Sequence, residues 1–164
     1  MKRIILHWTG GKYKPNSCDL SHYHYLVDGD GILWSGKFKI SDNEICKPNR
    51  YAMHTGGGNT GSIGISMCAM YGFKSELNVG NYPIKSLQLE RTFRLCAELL
   101  NQYHIILTPN TLLTHYEFGQ KHPKTSSFGK IDIIYLPPYP EIHRDEVGSF
   151  IRSKVRWYLE KIKE

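Results

Sequence analysis

His7, His115 and Asp132 are donors of the kinds that hold a catalytic metal, and Lys130 stands two residues before the carboxylate. A zinc site of this type takes three protein ligands and keeps a further position for water. Its chemistry is to lower the pKa of that water toward neutrality and to polarise a carbonyl, so the set points to amide hydrolysis. In an extended segment Lys130 and Asp132 share one side, which lets one bind metal while the other stabilises an oxyanion. The donors come from segments far apart: IILHWTGG around His7, LTHYEFG around His115, and Gly129-Lys130-Ile131-Asp132. A further stretch, YAMHTGGGNTGSIGI, surrounds His54 with glycines whose missing side chains allow close backbone approach. That context marks His54 as a substrate contact rather than a ligand.

Taken singly, each residue has a plainer reading. A lone strand histidine such as His7 is most often a hydrogen-bonded packing residue, and a lone Asp132 a turn or cap carboxylate. It is the arrival of several donors in separate segments that favours a site. Glu117, two residues after His115, has two readings of equal weight: a carboxylate that orients a metal ligand from behind, or a cap on the following loop. A rival metal pair, His22 and His24, would share one strand face, but the sequence nominates no third ligand for it. His104, His122 and His143 fall near helix ends or in loops and look incidental.

The elements that must position these residues follow from periodicity and turn chemistry. Arg3–Trp8 is a β-rich apolar run stopped by Thr9-Gly10-Gly11, a strand with His7 at its carboxyl end. His22–Val27 and Ile32–Trp34 flank Asp28-Gly29-Asp30-Gly31, which suits a tight hairpin. Ser41–Arg50 reads as loop, and Ile63–Met70 as a buried strand. Leu89, Phe93, Cys96 and Leu100 recur at helical spacing and predict a helix over 85–103. Leu112–Thr114 is a short strand that delivers His115, followed by a long polar loop from Tyr116 to Gly129. Val147, Ile151, Tyr158 and Ile162 predict a second helix over about 145–161. The expected fold class is α/β, a mixed central β-sheet flanked by helices, in a single domain spanning 1–164.

Composition limits the partners. Twenty-one lysines and arginines against 15 acidic residues give a formal charge of +6 and a pI near 9.1. An anionic partner is expected, with nucleic acid, acidic lipid and bacterial wall polymers all satisfying the charge. No RNP pattern, zinc finger or basic helix supports the nucleic-acid reading. No apolar stretch approaches the roughly 20 residues of a membrane span. Cys18, Cys46, Cys68 and Cys96 are scattered without a paired motif, which favours reduced, buried thiols. The MKRIILHW start is too short for a secretory core, so the expectation is a protein cytoplasmic on synthesis.

Together the segments IILHWTGG, HYHYLVDGDGILWSG, AMHTGGGNTGSIGISM, THYE and GKID, in this order, give a chain that resembles the zinc-dependent N-acetylmuramoyl-L-alanine amidases. That family includes amidase-type phage lysozymes and peptidoglycan recognition proteins, and small prophage amidases look most similar. The resemblance runs from His7 to about Pro137. It implies that His7, His115 and Asp132 bind zinc. It further implies that Tyr23 polarises the scissile carbonyl or positions water, and that Lys130 stabilises the tetrahedral intermediate. His54, Thr55 and Asn59 match residues lining the glycan-peptide groove. The implied substrate is peptidoglycan or a muropeptide, cut between N-acetylmuramic acid and L-alanine. The implied setting is a phage or prophage endolysin released by lysis or a holin, with a cytosolic recycling amidase or a non-catalytic binding module as alternatives. The chain departs from the pattern between His115 and Asp132, where His122–Ser127 reads as an insertion. That insertion is expected to form one groove wall, with Lys121 and Lys124 meeting wall carboxylates.

Overall fold

The computed structural model describes all 164 residues. A five-stranded sheet has the order β3-β2-β4-β1-β5, with β1 at Arg3–Trp8, β2 at Tyr25–Val27, β3 at Leu33–Ser35, β4 at Ser62–Met67 and β5 at Leu112–Thr114. β1 runs parallel to both β4 and β5, and β2 runs parallel to β4, while the β2–β3 hairpin supplies the single antiparallel pairing. The mixed sheet expected from the hairpin is therefore present.

Alternation along the central strands separates a packing face from a chemical face. In β1, Ile4, Leu6 and Trp8 join the main core, whereas Ile5 belongs to a second small cluster with Leu113 and Phe118. His7 has the parity of Ile5 and so falls on that second side. In β4 the same rhythm reads Ile63, Ile65 and Met67 toward the core and Ser62, Gly64 and Ser66 away from it. Small residues on one face leave room for side chains carried by loops. Large ones on the other bury against helices, each fully buried aliphatic or aromatic side chain contributing about 1.5–3 kcal/mol.

Those helices are α2 at Ser86–Gln102 and α4 at Val147–Lys163, with the short α3 at His115–Lys121 between them in the chain. Leu89, Phe93, Cys96 and Leu100 are all buried, as their spacing predicts. Gln88 at the third position of α2 accepts from Lys85 N–H and donates to the Val27 and Cys68 carbonyls, tying the helix start to the sheet. In α4, Val147 and Ile151 are buried, but Ile162 is 40% exposed and does not join the core.

Three expectations need correction. The segment before β2 is not extended from His22. Ser17–His22 is helix α1, nucleated by Asn16 and Asp19, which exchange side-chain and backbone hydrogen bonds as a capping box. His22 and His24 consequently do not share a strand face. A 3-10 helix occupies Ile40–Glu44 inside the expected loop. Finally, the chain after His115 is helix α3, His115–Lys121, whose Thr114 and Glu117 form a reciprocal cap. Local capping chemistry outweighs the polar composition that suggested a loop.

All four cysteines are free; Cys68 and Cys96 are buried, whereas Cys18 is exposed and Cys46 half-buried. Burial pushes the Cys68 thiol up to about 12. No helix is long and apolar enough to cross a membrane.

Candidate active site

His7 reaches the site from the end of β1, and His115 from the first turn of α3, directly after β5. These strands are neighbours in parallel register, with Leu6 opposite Thr114, so both imidazoles emerge at the carboxyl end of the sheet. Asp132 is held beside them because its carbonyl accepts a hydrogen bond from Tyr116 N–H at 2.7 Å. The result is convergence on one carboxylate oxygen: Asp132 Oδ2 lies 2.8 Å from His7 Nδ1 and 3.1 Å from His115 Nδ1. The three residues form a group able to hold a metal ion, their ligand atoms all within 4.8 Å of one another.

The electrostatics suit that use. Burial holds His7 down at about 4, against the opposing pull of Asp132, so its ring is neutral near pH 7. Burial works to raise the Asp132 carboxyl, but the His115 and His7 rings beside it prevail and keep it below its ordinary range. A neutral His7 imidazole beside an ionised Asp132 carboxylate is the pair of protonation states that metal ligation requires. Each ring is also held from behind. His7 Nε2 lies 3.2 Å from His54 Nδ1 and 3.3 Å from Thr55 Oγ1, and His115 Nε2 lies 3.0 Å from Ser127 Oγ. A nitrogen-nitrogen-oxygen donor set with its outer nitrogens engaged fits zinc.

A cleft of about 530 Å³ opens over this group, lined by His115 and Asp132 together with Tyr23, His54, Thr55, Asn59 and Lys130. Tyr23 follows α1 and lies beside His7, with ring centroids 5.1 Å apart. Burial first, and then the Asp132 charge, push its hydroxyl well above the usual phenol range, so it stays protonated and remains a donor. Lys130 is exposed at the rim. It does not belong to an extended segment with Asp132; both lie in irregular chain, yet both reach the cleft.

The glycine-rich loop is organised from within. Asn59 Oδ1 accepts from the backbone N–H groups of His54 and Thr55, at 3.0 and 2.8 Å. Asn59 is thus a brace of the loop as well as part of the cleft wall. His54 packs its ring against Gly64 of β4, where a β-carbon would collide with it. Thr55 Oγ1 lies 2.8 Å from His54 Nδ1, which links the loop to the back of His7. His54 Nε2 is buried without a hydrogen-bond partner.

Other sequence expectations are redistributed. Glu117 does not contact His115: its carboxylate accepts from Thr114 N–H and from Arg152 of α4, so it is a cap and an ion-pair partner. The polar contact behind His115 is made instead by Ser127, which composition and spacing gave no reason to single out. His24 is buried, accepting from Gly64 N–H at Nδ1 and facing Asn43 Oδ1 at Nε2, which leaves it no free nitrogen for a metal. Lys121 donates to Pro109 O and Asn110 Oδ1, so it is engaged away from the cleft. Of residues 122–127, Ser126 is the one that lines the cleft.

Residues 1–127 match the family model described as N-acetylmuramoyl-L-alanine amidase. The matched part includes His7, Tyr23, His54 and His115 and ends before Lys130 and Asp132. No curated protein matches the chain. Among solved structures, Staphylococcus aureus hydrolase AmiA in complex with its ligand aligns over 96% of this chain and 72% of its own, with a TM-score of 0.54 and 15% identity. The Escherichia coli N-acetylmuramyl-L-alanine amidase AmiD, bound to anhydro-N-acetylmuramic acid-L-Ala-D-gamma-Glu-L-Lys, covers 70% of this chain and 48% of its own at 20% identity and a TM-score of 0.47. LysC, an N-acetylmuramoyl-L-alanine amidase from Clostridium intestinale, covers 70% and 69% at 18% identity and a TM-score of 0.46.

Proposed function

Because the chain belongs to the N-acetylmuramoyl-L-alanine amidase family, we propose that it is a zinc-dependent hydrolase of the amide between N-acetylmuramic acid and L-alanine in peptidoglycan, acting as a phage or prophage endolysin. The observation that carries this reading is the meeting of His7, His115 and Asp132 beneath a cleft that Tyr23 and Lys130 also line. A purely binding member would have no need of a complete ligand set.

His7, His115 and Asp132 would hold the zinc, which when bound supplies Lewis acidity toward the carbonyl and a water acidic enough to attack near neutral pH. The remaining work belongs to the protein. Tyr23 keeps its hydroxyl proton and so offers a hydrogen bond to the oxygen of the scissile carbonyl, where negative charge grows. Lys130 brings a cationic side chain to the same cleft and opposes the charge of the tetrahedral state. His54 and Thr55 hold the outer nitrogen of His7 in place. The glycine loop, braced by Asn59, provides a wall against which substrate backbone can approach closely.

The net charge of +6 supports a polymeric, anionic wall as the natural substrate. Synthesis in the cytoplasm followed by release through lysis or a holin accords with that role. The test is mass spectrometry of products from purified peptidoglycan, with chelator and after zinc is restored. Free stem peptides beginning at L-alanine, lost with chelator and regained with zinc, are expected. Inertness toward the polymer with cleavage of a soluble anhydro-muropeptide would reassign the protein to recycling, and binding without cleavage of either would make it a recognition module.

A further inference from the structure

We propose that Ser127, carried by the 122–127 segment, is a positioning residue that sets the ring tautomer of His115 for metal binding. The inference rests on the reading of His7, His115 and Asp132 as the ligand set.

Ser127 is fully buried. Its Oγ lies 2.7 Å from the Gly56 carbonyl oxygen and 3.0 Å from His115 Nε2. A carbonyl oxygen only accepts, so the single hydroxyl hydrogen of Ser127 points at Gly56. The oxygen of Ser127 must then accept from His115, which places the imidazole hydrogen on Nε2. In a neutral ring the other nitrogen, Nδ1, is left as a lone pair. Nδ1 is the atom that faces Asp132 Oδ2, at 3.1 Å.

The direction of this constraint matters because Asp132 pulls the other way. A carboxylate oxygen 3.1 Å from Nδ1 favours a hydrogen on that nitrogen, which would block it as a ligand. Ser127 opposes that preference by making the Nε2 hydrogen bond the better satisfied one. Its own orientation is secured by Gly56, and the segment around it closes on the same loop. A β-carbon at Gly56 would meet Ser126, and one at Gly57 would meet Thr125. The turn then continues to Lys130, whose N–H donates to the Ser127 carbonyl at 3.1 Å. Ligand, glycine loop and the approach to Lys130 are thereby joined through one serine.

The experiment measures zinc affinity by competition with a chromophoric chelator for the parent, Ser127→Ala and Thr125→Ala. The ring protonation of His115 is read in parallel by nitrogen-resolved NMR of the metal-stripped parent and Ser127→Ala. Loss of an outer partner of this kind weakens metal binding by about 10–100-fold, and that is expected for Ser127→Ala. Thr125→Ala, in the same turn but without contact to His115, should retain the parent affinity. The parent should show hydrogen on Nε2, and the Ser127→Ala variant a shift of population toward Nδ1. Parent-like affinity in Ser127→Ala, equal weakening in Thr125→Ala, or a parent ring carrying its hydrogen on Nδ1 alone would each overturn the inference. A parent that binds no zinc would overturn the ligand set instead, and the NMR measurement would still decide the role of Ser127.

Discussion

Arg152 of α4 grips Glu117 of α3 through two parallel hydrogen bonds, Nη1 to Oε1 at 3.0 Å and Nη2 to Oε2 at 3.1 Å. The same Nη1 also donates to the Leu112 carbonyl in β5, at 3.0 Å. One guanidinium thus binds both the strand that precedes His115 and the helix that begins with it. Bidentate geometry and side chains only 11% and 20% exposed distinguish this pair from an ordinary surface ion pair. Replacing Arg152 with Ala should destabilise the protein by about 2 kcal/mol, because Glu117 loses its charged partner while its cap to Thr114 remains. Urea denaturation of Arg152→Ala, Glu117→Gln and the double variant tests this. A coupling energy above about 1 kcal/mol is expected for contacting residues, and simple additivity would show that the pair does not act as a unit.

Asp132→Ala should remove both bound zinc and turnover, since it deletes the oxygen on which His7 and His115 converge. Tyr23→Phe and Lys130→Ala should keep zinc at full stoichiometry while slowing hydrolysis by about 100–1000-fold, the usual loss when a donor to a developing oxyanion is removed. Metal analysis of each purified variant, set beside its rate on peptidoglycan, separates the two classes. Full zinc in Asp132→Ala would eliminate it as a ligand.

The meeting of His7, His115 and Asp132 was legible in the sequence because metal chemistry restricts residue types severely and strand ends are marked by glycine. His7 before Thr9-Gly10-Gly11 and His115 after an apolar triplet carry both signals. What could not be read was the back of the site. Ser127 makes its contribution through a tertiary contact with Gly56, 71 residues away, and a serine in a polar turn has no pattern to distinguish it. Glu117 was ambiguous for a related reason: whether a carboxylate caps its own helix or turns toward a ligand is decided by Arg152, which arrives from 35 residues further on. Helices α1 and α3 are different, since their capping boxes, Asn16 with Asp19 and Thr114 with Glu117, are written locally. There the overall polarity of the segment obscured a signal that was present.

Gly64→Ala offers a test of how the glycine loop is seated. The β-carbon would strike the His54 ring, which packs directly on β4 at this position. Since His54 contacts Thr55 and the outer nitrogen of His7, displacing it should disturb both the groove wall and the ligand. Overpacking of this kind costs about 1–3 kcal/mol, and a corresponding fall in the midpoint of chemical denaturation is expected together with weaker zinc binding. Parent-like stability and zinc affinity would mean that His54 can shift without consequence.

Buried histidines should also make the metal-stripped protein sensitive to mild acid. Burial holds His24 at about 4, against an ordinary 6.5, and its Nδ1 accepts from Gly64 N–H, a bond that protonation would destroy. Above pH 6.5 the ring is neutral in folded and unfolded chains alike, so it adds no pH dependence there. Between 6.5 and about 4 the unfolded chain takes up a proton that the folded one refuses, so stability falls as pH falls through this window. Below about 4 both states are charged and the effect levels off. The full loss from one such group is about 3 kcal/mol at most, from the free energy equivalent of a pKa difference of this size. His7 and His54 act in the same direction, His7 from about 4 and His54 from well below its ordinary value, both through burial. The contribution of His24 is isolated by comparing the parent with His24→Gln in urea titrations at stepped pH, with chelator present. The variant should be less stable at neutral pH and should lose less on acidification. Parallel pH profiles for the two proteins would show that His24 does not carry this dependence.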